Sequence, residues 1–478
     1  MRKVLFLKFN MNNKLLALIG SVILLSSCEQ EQAKTTATPS KPNVIVILSD
    51  DQGTLDLNSY GSTDLATPNL DRLAASGVRF TQFYAVAPVC SPSRAGLLTG
   101  KYNYNAGLFG NVDIPNNDPE HKDGMPTEQI TMAEMFKTGG YRTATIGKWH
   151  LGHSPEKLPN GQGFDYFFGH QRGCIDNYSH FFFWAGPNLH DLYQNEKEIY
   201  RPGEFFGDLM VEEVKHFTAP TADPFFVYWA INMPHYPYQG RPSWLEHYKD
   251  LPSPRKEYAA FISTVDELVG NVLDHLEQTG QLDNTIIVFQ SDHGHSTEQR
   301  AYYGGGNAGP FNGAKFSMLE GGIRVPAIIS WPEGDLPQGK VRNQWAGSVD
   351  WYPTLADLTG VEVPNPAEVD GISLRDVIYD NAASGHDVMH WATGNPEVKT
   401  NSWAVRKGPW KLLGNPHDSA KKLTFTEEDK IYLVNLSQDS TESKNLKLEH
   451  PEVAAELLTL HEDWLQGVLD NRSKLSGN

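Results

Sequence analysis

Two short apolar runs in this chain end in acids. Val44 to Leu48 leads straight into Ser49-Asp50-Asp51-Gln52-Gly53, and Thr285 to Phe289 into Gln290-Ser291-Asp292-His293-Gly294. Continuous apolar runs of this length, without alternation, read as strands covered on both faces, the usual state of parallel strands. Pro224 to Ile231 is a third such run and Thr143 to Ile146 a weaker fourth. Helical stretches lie between them. Thr67-Pro68 offers an N-cap and a first-turn proline to one that ends at Gly77, and Tyr258 to Thr279 keeps helical spacing up to Gly280. Strands alternating with helices predict an α/β sheet covered on both faces, with ligands gathering at the carboxyl ends of its strands.

The acids then become informative. Neighbouring strand residues point to opposite faces, so Asp50 and Asp51 can reach one ion only where the chain turns, which Gly53 permits. Two matched strand ends bring Asp50, Asp51, Asp292 and His293 to one sheet edge. Carboxylate oxygens suit a hard cation such as Ca²⁺ or Mg²⁺, whereas an imidazole at position 293 is a poor match for one.

From about His386 the pattern changes. Trp403 to Arg406 and Trp410 to Leu413 flank Lys407-Gly408-Pro409 as a hairpin, Ile431 to Leu436 adds a strand, and Pro451 starts a closing amphipathic helix. Residues 386–478 read as a small antiparallel sheet with one helix, packed on a larger domain of residues 42–380. At 478 residues the chain is long enough for that division.

The beginning of the chain belongs to neither part. Arg2, Lys3, Lys8 and Lys14 precede or accompany an apolar run from Leu15 to Leu25, too short for a stable span, so residues 1–27 read as a signal peptide, with Met1 or Met11 as the start. Leu25-Ser26-Ser27-Cys28 resembles a bacterial lipobox, which implies cleavage before Cys28 and lipid on its thiol; residues 28–41 are a polar tether. The expected location is therefore outside the cytoplasm, lipid-anchored at a bacterial membrane, at the outer membrane on its periplasmic or surface face. With Cys28 lipidated, Cys90 and Cys174 leave no disulfide framework. The chain carries a net charge of −18, and losing the four basic residues of the leader takes it to −22. Such acidity argues against nucleic-acid binding and requires any anion site to be locally positive.

One run remains. Cys90-Ser91-Pro92-Ser93-Arg94-Ala95-Gly96-Leu97-Leu98-Thr99-Gly100-Lys101 has a capping serine, a first-turn proline and a terminal glycine, so Cys90 sits at a helix start, where free N–H groups favour an anion. Taken alone, Cys90 could be a small core residue. In Gly147-Lys148-Trp149-His150-Leu151-Gly152, Lys148 and His150 share a strand face. Alone, they could be a solvated lysine and a core-edge histidine.

The cysteine followed by Pro92 and Arg94 resembles the maturation signature of the type I, formylglycine-dependent sulfatases of the alkaline-phosphatase-like superfamily, and the other motifs match that family too. The resemblance implies a mixed, mostly parallel sheet between helices, and a maturing enzyme that oxidises Cys90 to formylglycine, whose hydrate is the nucleophile. It implies calcium on Asp50, Asp51, Asp292 and position 293, with the modified Cys90 beside it. Arg94, Lys148 and Lys315 would hold the sulfate oxygens, His235 or Lys315 would protonate the leaving oxygen, and His150 would act as base. His235 stands in Asn232-Met233-Pro234-His235-Tyr236-Pro237, and Lys315 precedes Glu320-Gly321-Gly322-Ile323-Arg324-Val325-Pro326. The implied reaction is hydrolysis of a sulfate ester by a sulfuric ester hydrolase.

Residues 161–205 are rich in aromatics interleaved with His, Asp and Asn, including Tyr178, Phe181, Phe183 and Trp184. They could line a sugar subsite, with His170, Arg172, Asp176 and His180 as candidates, or equally be core or interdomain packing. The stretch resembles carbohydrate sulfatases of polysaccharide-degrading bacteria, which points to a sulfated algal polysaccharide of ulvan or carrageenan type. Two rivals stand: a phosphatase or phosphonate hydrolase of the same superfamily, which would use a two-metal site, and a non-catalytic glycan-binding surface lipoprotein.

Overall fold

A computed structural model describes residues 41–112, 124–182 and 188–476, with 41–478 forming one compact unit. The leader, the tether with Cys28, and Phe183 and Trp184 lie outside the described residues. The first strands are β1 (Asn43–Ser49), β2 (Val78–Tyr84), β3 (Arg142–Lys148) and β4 (Tyr166–His170). Four two-residue strands follow: β5 (Phe181–Phe182), β6 (Leu189–His190), β7 (Tyr193–Gln194) and β8 (Lys197–Glu198). Then come β9 (Phe225–Ala230), β10 (Thr285–Ser291), β11 (Ala327–Ser330) and β12 (Lys340–Gly347).

Ten of these form one sheet in the order β12-β2-β11-β10-β1-β9-β3-β4-β7-β8. Its centre, from β10 to β4, is parallel; β11 runs antiparallel between β10 and β2, and β7 antiparallel to β4. The expected α/β architecture is thus a mixed, mostly parallel sheet. Val44, Val46 and Leu48 pack on one face beneath helices α2 (Cys90–Thr99), α3 (Met132–Thr138), α8 (Trp351–Thr359) and α9 (Arg375–Asp380). Ile45 and Ile47 pack on the other, beneath α1 (Pro68–Ala75), α4 (Phe206–Phe217) and α6 (Arg255–Gln278). Because both faces are dry, every residue of the central strands can be apolar, each buried branched side chain contributing about 1.5–3 kcal/mol. Two short helices, α5 (Pro242–His247) and α7 (Glu320–Ile323), sit in the connections.

Local details differ from the sequence reading. Helix α2 begins at Cys90 itself, not after Ser91. Ser91 instead ties two loops together, donating to the His150 carbonyl at 2.7 Å and accepting from Val112 N at 3.0 Å. The Thr67 hydroxyl makes no cap for α1; the amides of Asn69 and Leu70 are met by Asp266 of α6 at 3.0 and 2.7 Å, so a tertiary carboxylate replaces the local cap.

At the carboxyl-terminal end, β13 (Val388–Ala392), β14 (Trp403–Lys407), β15 (Trp410–Gly414) and β16 (Ile431–Asn435) make an antiparallel sheet in sequential order. Its outer face carries α10 (Pro451–Ser476) through Leu457 on Val405, Leu412 and Leu433. Its inner face shares a core with the main sheet through Tyr84, Leu319, Ile323, Trp391 and Leu413. Within that junction Lys411 is fully buried between Glu320 at 3.0 Å and Glu442 at 2.9 Å. Among the described residues no helix is long and apolar enough to cross a membrane.

Candidate active site

Register places the acids. Ser49 pairs with Ser291 and Leu48 with Ala230, so β1, β10 and β9 finish at one level of the sheet. The chain turns after β1 through a left-handed Asp51, φ 63°, and the Asp51 amide donates to Asp292 Oδ1 at 3.1 Å. Asp50, Asp51, Asp292 and His293 are all buried beside the first residue of α2. Ligand atoms of Asp50, Asp51, Cys90 and His293 lie within 4.8 Å of one another. Cys90 Sγ is 3.3 Å from His293 Nε2 and 3.9 Å from Asp50 Oδ1. His293 gives its Nδ1–H to the Gly294 carbonyl at 2.9 Å, the arrangement that turns Nε2 toward Cys90 and Asp292, where it can serve as a ligand atom.

Three cations face these carboxylates. Lys148, the last residue of β3, reaches Asp50 Oδ2 at 2.6 Å; Lys315 lies 3.0 and 3.1 Å from the two oxygens of Asp51. Arg94, wholly buried, donates to Asp292 Oδ2 at 3.0 Å and to the Lys148 carbonyl at 3.3 Å, and stands 3.4 Å from Asp50 Oδ2. Arg94 is thus committed to the two carboxylates, while Lys148 and Lys315 flank the thiol. Burial would raise the Cys90 thiol, but Lys148 and Lys315 outweigh it and bring it down to about 6. Burial likewise pushes Asp51 and Asp292 upward, whereas Lys148 and Arg94 overcome it at Asp50 and hold that carboxyl well below its ordinary range.

The two histidines are set by carbonyls. β3 ends at Lys148, and His150 takes a left-handed φ of 57°, so its ring swings off the strand instead of sharing a face with Lys148. His150 Nε2 lies 3.2 Å from the Val112 carbonyl, which can only accept; the proton is therefore on Nε2 and Nδ1 keeps its lone pair. That Nδ1 is buried with no hydrogen-bond partner, and burial, Lys148 and Arg94 hold the ring neutral. His235 gives Nδ1–H to the Tyr236 carbonyl at 2.8 Å, leaving Nε2 3.7 Å from Asp51 Oδ2. Burial and Lys315 keep it neutral as well.

Of the sugar-subsite candidates, His170 pairs with Lys148 across β3 and β4, and the others are engaged by contacts within the protein. His170 and His180 are fully buried, with Nδ1 of His170 on the Arg172 carbonyl and Nε2 of His180 on the Glu204 carbonyl. Asp176 accepts from Ser179 N and Tyr178 N within its own loop and from Gln239 Nε2 of the loop after β9. Arg172, partly exposed, stands 3.3 Å from the buried Asp191.

Two residues escaped the sequence reading. Glu298 Oε2 is 3.6 Å from Lys315 Nζ and accepts from Tyr236 OH at 3.2 Å. Gly173 lies against His150: a Cβ there would be 3.0 Å from Cε1 and 3.1 Å from Nε2 of the ring. No local motif marks either; both matter through residues far away in the chain.

Comparison with known proteins agrees with this geometry. The chain matches the sulfatase family over residues 42–361, and the C-terminal region of N-sulphoglucosamine sulphohydrolase over residues 306–466. Arylsulfatase J of Mus musculus is 32% identical over 475 residues, covering 90% of this chain and 76% of that protein. N-acetylgalactosamine-6-sulfatase of Sus scrofa is 35% identical over 376 residues, covering 74% of this chain and 69% of that protein. The crystal structure of Ps i-CgsB in complex with k-i-k-neocarrahexaose has a TM-score of 0.79 at 29% identity, covering 89% of this chain and 93% of that one. The chain therefore belongs to the formylglycine-dependent sulfatases of the alkaline-phosphatase-like superfamily and is a sulfuric ester hydrolase.

Proposed function

We propose that this enzyme hydrolyses sulfate esters of a sulfated algal polysaccharide or its oligosaccharides, of carrageenan or ulvan type. Cys90 is the residue matured to formylglycine, and calcium is the metal. The observation that carries the reading is Cys90 at the first position of α2, between two buried lysines and beside three buried carboxylates. The carrageenan assignment draws on the likeness to Ps i-CgsB, solved with a carrageenan hexasaccharide.

The donor set fits a divalent cation. Asp50, Asp51 and Asp292 offer the oxygens that calcium prefers, and His293 Nε2 is the odd donor. Three carboxylates and three cationic side chains are buried together here and offset one another, so a sulfate ester anion entering with a divalent cation would halve the positive charge that the cation alone would bring into the buried site.

Asp50, Asp51, Asp292 and His293 would hold the metal, which would supply polarisation of the sulfate oxygens, and Cys90 once matured would supply the attacking hydroxyl of its hydrated aldehyde. Lys148 and Lys315 are placed to take the remaining sulfate oxygens, with Arg94 fixing Asp50 and Asp292 in place. Lys315 carries a proton at rest, whereas His235 is neutral with Nδ1–H spent on a carbonyl; Lys315 is the proton source for the leaving sugar oxygen, and His235 orients it. The free Nδ1 of neutral His150 is the base.

Export and lipid attachment at Cys28 to a bacterial membrane complete the proposal, placing the enzyme where large external glycans arrive. The gathering of one group of potential metal ligands among the described residues favours a sulfatase over a two-metal phosphatase. The test has two parts. Mass spectrometry of the tryptic peptide Phe80 to Arg94 should show the thiol replaced by an aldehyde, and the matured protein should release sulfate from carrageenan or ulvan faster than from glycosaminoglycans. An unmodified thiol sinks the nucleophile and brings the glycan-binding lipoprotein forward; a preference for glycosaminoglycans sinks the algal assignment.

A further inference from the structure

A pair of tyrosines stands out in the loop that supports Lys315. Tyr302 and Tyr303 are 62% and 66% exposed, and both take left-handed backbone conformations, φ 51° and 65°. Bulky residues rarely adopt that region, and two in succession persist only where the surroundings impose them. The surroundings do so from both ends. Upstream, the Glu298 carbonyl accepts from Ala301 N at 2.9 Å and Tyr303 N at 3.0 Å, while its carboxylate faces Lys315. Downstream, Gly305 and Gly306 press on the protein: a Cβ would come within 2.5 Å of Tyr258 Cβ at the first and 2.3 Å of His295 Cβ at the second. The Tyr302 ring stands 6.4 Å from that of Tyr238, three residues beyond His235. Two rings are thus held out in water on a fixed loop, next to the side of the site that carries His235 and Lys315.

Singly exposed rings are ordinary, but adjacent aromatic faces held in one place form the kind of exposed apolar surface that marks a ligand-binding site. A ligand for two exposed rings must present flat C–H faces and keep its polar groups wet. A sugar ring does both. Core packing is excluded by the exposure of both rings.

We propose that Tyr302 and Tyr303 form a stacking platform for a sugar unit of the sulfated glycan on the leaving-group side of the ester. This rests on the glycan reading above and names the residues that grip the polymer. Because the platform is preorganised, binding loses little ordering entropy on its account.

The test compares the matured enzyme with Tyr302→Ala, Tyr303→Ala and the double variant on a carrageenan hexasaccharide and on 4-nitrophenyl sulfate, which is too small to reach the platform. KM for the hexasaccharide rises roughly 2- to 12-fold for each ring lost, with kcat and the aryl ester unchanged. Tyr302→Phe and Tyr303→Phe keep the wild-type KM, since they keep the ring. Calorimetric titration of the hexasaccharide into Cys90→Ala protein reads the same loss without turnover. An unchanged KM in the double variant overturns the platform, and so does an equal loss on both substrates, which would make the loop only a support for Lys315. A wild-type enzyme that cleaves the aryl ester but neither binds nor cleaves the hexasaccharide would instead sink the carrageenan reading on which the platform rests.

Discussion

Gly173 offers the sharpest check on the base. Its absent side chain faces the His150 imidazole: a Cβ would come 3.0 Å from Cε1 and 3.1 Å from Nε2. Contacts that short are tighter than Cβ atoms ordinarily make, so Gly173→Ala requires the ring to shift by a few tenths of an ångström. The ring must give way. Its bond to the Val112 carbonyl, already long at 3.2 Å, is carried by such a shift to the edge of hydrogen-bonding distance. Losing it costs about 1–1.5 kcal/mol of orientation and frees the tautomer that keeps the lone pair on Nδ1. Carried to the transition state, that is about a tenfold fall in kcat. The assay is sulfate release by Gly173→Ala and wild type, with aldehyde content at Cys90 measured for each and melting followed in parallel. KM should hold, and Tm should move by no more than about 2 °C, since the site is partly exposed. A kcat within twofold of wild type would refute the argument, as would a loss that tracks unfolding.

Three further outcomes are expected. Lys148→Met should lower kcat by about 10²–10³, the usual result of removing one preorganised donor, and a kcat within a few-fold of wild type would remove Lys148 from the mechanism. Lys411→Met leaves Glu320 and Glu442 buried together without their shared cation and should cost about 3–5 kcal/mol in urea unfolding; adding Glu442→Gln should return part of it, and additive losses would contradict a shared ion triad. At His386 burial lowers the pKa but Asp350, 2.8 Å from Nε2, more than reverses it, so the folded value is raised. The resulting stabilisation is full below the ordinary pKa of about 6.5 and fades as pH climbs through the raised value. Thermal melts should therefore weaken over that alkaline window in wild type, and a His386→Gln variant with the same slope would remove His386 as the cause.

The sequence by itself carried the elements and the family. Apolar runs, prolines at helix starts and glycines at helix ends are local signals, which is why β1, β10, α6 and the C-terminal hairpin could be read from them. The acids after two such runs, and the Cys90 motif, likewise located the site. What tertiary structure decided is how those groups are used. That Arg94 holds Asp50 and Asp292, that Glu298 backs Lys315, and that Val112 sets the tautomer of His150 all depend on contacts between residues 17 to 198 positions apart, on loops that only the sheet register brings together. The same holds for the candidate sugar residues: composition could not tell that His170 and His180 are buried and Asp176 spent on its own loop and on Gln239, nor that Tyr302 and Tyr303 are held out into water. Local pattern selects strand, helix or turn because those energies come from near neighbours in the chain. Hydrogen bonds and charge pairs between distant residues are chosen only after burial has fixed which strand ends lie side by side.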